Sequence, residues 1–197
     1  MYPGTLMSLL LTDRLNQILP TITTTDFLSG KGLGNEIAFY IFDYDPEEEL
    51  QIREHINFLL AQIPKTAPDL KVTHINLFDL ILDYLKERKL LDKVLQMQQQ
   101  KGDAAVQKAL AAPLHASKLL PLFEKAAAPE ENDLVLVSGV GNVYPLLRTH
   151  SLLNNLHPIM GQTPLVLFFP GKYDGQALKL FGSLQDDNYY RAFKLIP

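Results

Sequence analysis

The chain has no cysteine. That excludes disulfides, thiolate metal sites, iron–sulfur clusters and cysteine nucleophiles, and it fits a reducing compartment. Long apolar runs are missing too. No stretch reaches the roughly 18 residues that a membrane-spanning helix needs. Met1–Leu11 has no basic region followed by a long apolar core, so it does not read as a secretory signal. A cytoplasmic location without membrane attachment is the expectation. Strong charge of one sign is also absent: 18 basic residues face 22 acidic ones, for a net charge of −4. That balance argues against nucleic-acid binding through bulk charge.

The familiar catalytic spacings are missing as well. No GxxxxGK[ST] run exists, which excludes a P-loop, and the third glycine position of a GxGxxG fingerprint is occupied by Tyr144. Ser138 lacks the glycine two residues before it that a GxSxG elbow requires. The five histidines, His55, His74, His115, His150 and His157, show neither HExxH nor HxH spacing and read as structural or surface residues. No metal, no cofactor and no self-contained catalysis are therefore expected.

What is present is an ordinary globular composition. Of 197 residues, 47% are hydrophobic and 20% charged, which makes whole-chain disorder improbable. A domain of this size buries about 70% of its unfolded surface and needs no staples. Residues 1–197 read as one α/β domain. Residues 1–7 are taken as a disordered extension, since Met7-Ser8 offers an alternative start.

Apolar patterning gives the order of elements. Ser8–Leu19 reads as a helix ended by Pro20, and Thr21–Gly34 as a loop. Glu36–Asp43 is a strand whose continuous apolarity suggests burial on both faces. Asp45, Pro46 and Glu48 then form a helix start with a capping box. Ile52, Ile56, Leu59 and Ile63 make an apolar stripe that Pro64 stops. Lys71–Leu77 is a second strand, and Phe78–Lys89 a helix. Residues 90–128 read as a helical insertion, broken near Gly102-Asp103 and marked by Pro121.

Asp133–Ser138 and Pro164–Phe169 are further buried strands. Val143–Leu156 and Gln176–Phe181 read as helices, Pro170–Gly175 as a loop, and Asn188–Ile196 as extended. Such alternation predicts a mainly parallel sheet of about four to five strands with helices on both faces, Rossmann-like but without a P-loop.

In such folds ligands sit outside the carboxyl ends of the strands, so three loops attract attention. Gly139, Gly141 and Asn142 lie before a helix, where backbone N–H groups can hold a phosphate or carboxylate; the competing reading is a tight turn that needs glycine. Asp43, Asp45 and Asp174 could gather around a hard cation, although Asp45 already serves as a cap. Asp186–Arg191 mixes acids, tyrosines and arginine, as interface hot spots do; the alternative is an edge strand with half-buried tyrosines.

At these same residues the chain resembles a known family. The runs Leu134–Pro145 (LVLVSGVGNVYP), Arg148–Leu156 (RTHSLLNNL), Pro164–Gln176 (PLVLFFPGKYDGQ) and Asp187–Phe193 (DNYYRAF), with the turn Phe42–Glu47 (FDYDPE), resemble BrxB of the BREX bacteriophage-exclusion systems. The resemblance covers most of the chain and is weakest between Leu90 and Ala128. It implies a small core component of a multi-protein defence system that blocks phage DNA replication and marks host DNA by adenine methylation.

The other components implied are a methyltransferase, a large ATPase and a PglZ-like protein with an alkaline-phosphatase-like domain. None of their signatures occurs here, and the family offers no catalytic residues to carry over. The resemblance marks Asn142, Tyr144, Arg148, His150, Asn155, Lys172, Tyr173, Asp174, Asp187, Asn188, Tyr189 and Arg191 as candidate partner-binding positions. The expected role is an adaptor for other BREX proteins, foremost the PglZ-like one and then the ATPase or methyltransferase, with self-association open. The alternative is a nucleotide- or phosphate-binding module at Gly139–Asn142. Direct DNA contact through Lys172, Lys179, Arg191 and Lys194 is the weakest reading, given the acidic balance.

Overall fold

The computed structural model describes residues 3–29, 38–147, 149–185 and 192–196. Helices α1 (Pro3–Ile22) and α2 (Thr25–Leu28) precede strand β1 (Phe39–Tyr44). A 3-10 turn at Pro46–Glu48 opens into α3 (Glu49–Thr66), followed by β2 (Val72–Asn76) and α4 (Leu77–Glu87). Then come α5 (Leu91–Lys101), α6 (Asp103–Leu110), α7 (Ala116–Ala127) and β3 (Leu134–Ser138). Two further helices, α8 (Val140–Val143) and α9 (Thr149–Met160), lead to β4 (Leu165–Tyr173), β5 (Leu178–Leu180), β6 (Leu184–Gln185) and β7 (Phe193–Lys194).

The sheet runs in the order β2-β3-β4-β1-β7, all parallel. Strands β5 and β6 extend it antiparallel from the end of β4. The chain therefore has the mixed α/β, mostly parallel architecture that its strand–helix alternation predicts.

Topology explains why both faces are covered. From β1, α3 carries the chain across to the β2 edge; β3 and β4 then return step by step toward β1. Parallel crossovers keep one hand, so reversing direction moves the helices to the opposite face. Period-two alternation divides the strand side chains accordingly. Tyr40, Phe42, Leu134, Leu136, Val166 and Phe168 pack under α1 and α3. Phe39, Ile41, Val135, Val137, Leu165 and Leu167 pack under α4, α7 and α9. Strands β1, β3 and β4 are apolar over most of their length because helices cover both faces there.

Local signals account for most element ends. Asp45 accepts from the Glu47 amide while the Glu48 carboxylate accepts from the Asp45 amide, completing the capping box. Ile52, Ile56, Leu59 and Ile63 are the buried stripe of α3. Gly102 separates α5 from α6 at φ 75°.

Several boundaries differ from expectation. Helix α1 starts at Pro3, inside the stretch set aside as an extension, and runs past Pro20; α3 likewise runs past Pro64. A proline in the last turn removes only one helical hydrogen bond, too little to stop a packed helix there. The loop expected at Thr21–Gly34 contains α2, and residues 30–37 lie outside the described residues. The single helix expected over Val143–Leu156 is two elements. Pro145 holds Tyr144 extended (φ −72°, ψ 137°), as a residue before proline prefers. Within residues 90–128, α5 buries no side chain, whereas α7 sends Leu119, Phe123 and Ala127 into the core.

The largest difference is at the C-terminal end of β4. Pro170–Tyr173 is strand, not loop, and Leu178–Leu180 is its antiparallel partner, not a helix. A Cβ on Gly171 would lie 2.1 Å from the Lys179 carbonyl oxygen, so glycine is what lets the two backbones approach. Asp174 closes the hairpin by accepting from the Gln176 and Ala177 amides at 2.9 and 2.8 Å.

Candidate functional site

The carboxyl ends of β1, β3 and β4 converge, and most of the polar residues found there hold structure. Asp43, at the end of β1, is 6% exposed. One of its oxygens accepts from Arg14 Nη2 of α1 at 2.7 Å, and the other accepts from the Tyr173 amide at 3.0 Å. Lys194 Nζ of β7 stands 3.7 Å away. The Arg14 guanidinium also lies 4.6 Å over the Phe42 ring. One carboxylate thus ties α1, β1, β4 and β7 together. A buried charge of this kind is strongly destabilising once its partner is lost, by about 3–5 kcal/mol.

The acidic positions do not come together as a cation site. Asp43 is held by Arg14, Asp45 caps the 3-10 turn, and Asp174 closes the β4–β5 hairpin. The two backbone amides hold the exposed Asp174 carboxyl below the usual carboxylate range. Among the described residues no group of three or more potential metal ligands forms.

The Gly139–Asn142 segment is also a structural turn. Gly139 has φ +78°, and a Cβ there would lie 2.3 Å from Asn76 Oδ1. That oxygen caps α4 by accepting from the Phe78 and Asp79 amides. The helix that follows Gly139 has four residues, not the long helix on which an anion cradle depends. Asn142 is exposed, and its Oδ1 accepts from Arg53 Nη2 at 3.0 Å.

Beside this turn lies a polar chain that the sequence reading missed. Tyr44, 2% exposed, donates to Glu49; Arg53 Nε donates to Glu49 at 2.9 Å and continues to Asn142. Burial and then the bond to Glu49 push the Tyr44 phenol far up. The Glu49–Arg53 spacing of four on one helix was the available signal; its link to Asn142 was not.

His74 and Ser138 form a second missed pair. His74 Nε2 and Ser138 Oγ are 2.8 Å apart across β2 and β3. Burial pushes the imidazole below its ordinary value, with Asp79 opposing.

The remaining candidates scatter. Tyr173 is core: it is 1% exposed, and its hydroxyl donates to the Ala192 carbonyl at 2.8 Å. Lys172 points outward opposite Lys179 in the β4–β5 register. Tyr144 is half-buried and meets the Phe181 ring edge-on, with centroids 6.1 Å apart. Asn155 is exposed on α9, away from the strand ends, and His150 belongs to the first turn of α9. Arg148, Asp187, Asn188, Tyr189 and Arg191 lie outside the described residues. Of the basic set Lys172, Lys179, Arg191 and Lys194, Lys194 is turned toward Asp43.

Large apolar side chains are exposed at this end of the molecule beside Asn142 and Lys172. Leu50 is 72% exposed, Phe181 40% and Leu184 39%. Phe181 also adopts φ 54°, an unfavourable region for a bulky side chain. Pro46, Gly141, Pro170 and Phe181 surround a hollow of about 140 Å³ beside Arg53. No helix among the described residues is long and apolar enough to cross a membrane.

Comparison with known proteins agrees with the resemblance. The family profile described as BREX protein BrxB matches residues 73–195. A BREX protein BrxB of Bacillus cereus is 45% identical over 188 residues, covering 93% of this chain and 96% of the relative. A BREX protein BrxB of Escherichia coli is 41% identical over 184 residues, covering 93% of this chain and 90% of the relative. No solved structure matches.

Proposed function

The chain belongs to the BrxB family of BREX proteins, and from that premise we propose that it is a non-catalytic adaptor of phage defence that works by binding other BREX proteins. The PglZ-like protein is its first partner. One observation carries this reading beyond family membership. At the carboxyl edge, where an α/β enzyme would hold free polar groups, Asp43, Asp45, Asp174 and Asn142 are engaged in holding elements together. Beside the exposed Arg53, Asn142 and Lys172 stand the large apolar side chains of Leu50, Phe181 and Leu184, a mixture that suits a protein surface better than a small polar substrate.

Co-purification tests it. Tagged chain expressed with the PglZ-like protein, the ATPase and the methyltransferase of one system should retain the PglZ-like protein through a wash at physiological salt. Retention of none of the three would overturn the adaptor role. A thermal-shift series with nucleotides separates the alternative: a nucleotide site filled at 100 times its Kd would add about 2.7 kcal/mol of stability, and the adaptor reading expects no such shift.

A further inference from the structure

Phe181 is placed at a cost. With Gly182 at φ 72° it forms a turn in which both central residues have positive φ, a geometry that favours Asn-Gly over a bulky aromatic. The Phe181 amide donates to the Pro170 carbonyl at 2.9 Å, which fixes the turn against the end of β4. The ring lies over Gly141, where a Cβ would stand 3.1 Å from both Phe181 Cε1 and Pro170 Cγ. Glycine at 141 is therefore what admits the ring. Tyr144 supports it edge-on. A strained residue buttressed on three sides and still 40% exposed is arranged to present its ring, since burial would have satisfied it better.

The hollow beside it has walls of Pro46, Gly141, Pro170 and Phe181 and a polar rim of Glu49, Arg53 and Asn142. At about 140 Å³ it falls below the roughly 300 Å³ at which small-molecule sites begin, and suits one inserted side chain. Leu50 extends the apolar surface along α3. It lies three residues before Arg53 and four after Pro46, both neighbour spacings on a helical path. Phe181 and Arg53 at one pocket are side chains of the aromatic and arginine types that protein interfaces favour.

Charge identifies the visitor. Asp45, Glu47, Glu48, Glu49 and Glu54 lie on this part of the chain, against Arg53 and the nearby Lys172 and Arg14, which both act electrostatically on Glu48, Arg14 being already paired with Asp43. The Arg53 charge is already engaged by Glu49. The rim pair Glu49–Arg53 cancels, so the remaining acidic residues of this chain segment outnumber its bases, a balance that repels phosphate backbones and attracts lysine and arginine. We propose that this hollow is the anchor pocket of a protein–protein interface, and that its occupant is an apolar side chain flanked by basic residues on a partner BREX protein. The proposal rests on the adaptor reading and assigns it a surface.

The test compares affinity for the PglZ-like protein among the full chain and two variants, with melting temperatures measured beside it. Phe181→Asn removes the ring but suits the positive φ, so the fold is kept or strengthened. It should weaken binding about tenfold or more at an unchanged or raised melting temperature. Glu54→Lys should weaken binding at low salt and lose its effect at high salt, as screening predicts. Wild-type binding that survives Phe181→Asn unchanged would overturn the pocket and leave the adaptor role standing. Failure of the wild-type chain to bind any BREX protein would remove both. Phe181-dependent binding of a single-stranded oligothymidylate would overturn the pocket in favour of base stacking.

Discussion

At Gly139 two constraints coincide: a left-handed backbone and contact with the side chain that caps α4. Gly139→Ala places a Cβ in a region that costs an L-residue about 1–2 kcal/mol and pushes Asn76 off its cap, worth about 1 kcal/mol. The expected loss is about 2–3 kcal/mol by urea unfolding, and Asn76→Ala alone should show the smaller share. A second residue-scale effect depends on pH. Burial lowers the pKa of both His74 and His55 from the ordinary 6.5. The unfolded chain then binds protons more readily than the folded one, so stability is full above pH 6.5 and falls as pH drops toward the folded values. His74→Gln keeps a group able to bond Ser138 and removes the titration. Its unfolding free energy should decline less than that of the wild type between about pH 7 and pH 5.

Among elements, α5 and α7 show how similar helical patterns meet different fates. Both fall in the stretch that reads as an insertion. Helix α7 places Leu119, Phe123 and Ala127 against the sheet, while α5 buries no side chain and leaves Leu95 48% exposed. Leu91 and Val94 of α5 are only partly buried against the core, so this helix draws less stability from packing than α7 does. Its amides should exchange with solvent at rates closer to local fraying than to global unfolding. Hydrogen exchange followed by mass spectrometry should therefore find α5 labelled well before α3, α7 and the β3–β4 ladder. Equal protection in α5 and α7 would contradict this account. The β4–β5 hairpin carries a related lesson. Gln176–Phe181 has too few residues for its pattern to decide between helix and strand, and pairing with β4 decided it.

The whole molecule is one sheet with a hydrophobic layer on each side, and the two layers share the same central strands. Side chains of β1, β3 and β4 alternate between them, so neither layer can form without the other's backbone. Leu59→Ala in one layer and Phe123→Ala in the other should each cost about 3 kcal/mol and lower the same transition. Far-ultraviolet dichroism and tyrosine fluorescence should follow coincident curves in both variants. Separate transitions for the two variants would show two folding units instead.

Local chemistry in the sequence determined a good deal. Continuous apolarity marked β1, β3 and β4 as buried on both faces, period 3.6 marked the stripe of α3, and Asp45, Pro46 and Glu48 marked its start. These features depend on residues within one or two turns of each other. The resemblance at Gly139–Phe193 placed the family in the same way, from contiguous residues.

Only the tertiary structure decided what the polar residues do. Asp43 meets Arg14 and Tyr173 across 29 and 130 positions. His74 meets Ser138 across 64 and Arg53 meets Asn142 across 89. No local pattern encodes such pairings, because the sheet order that creates them is settled by burying both faces at once. The same holds for Phe181. The sequence shows an aromatic before a glycine; the fold sets that ring over Gly141 and Pro170 and leaves it facing outward.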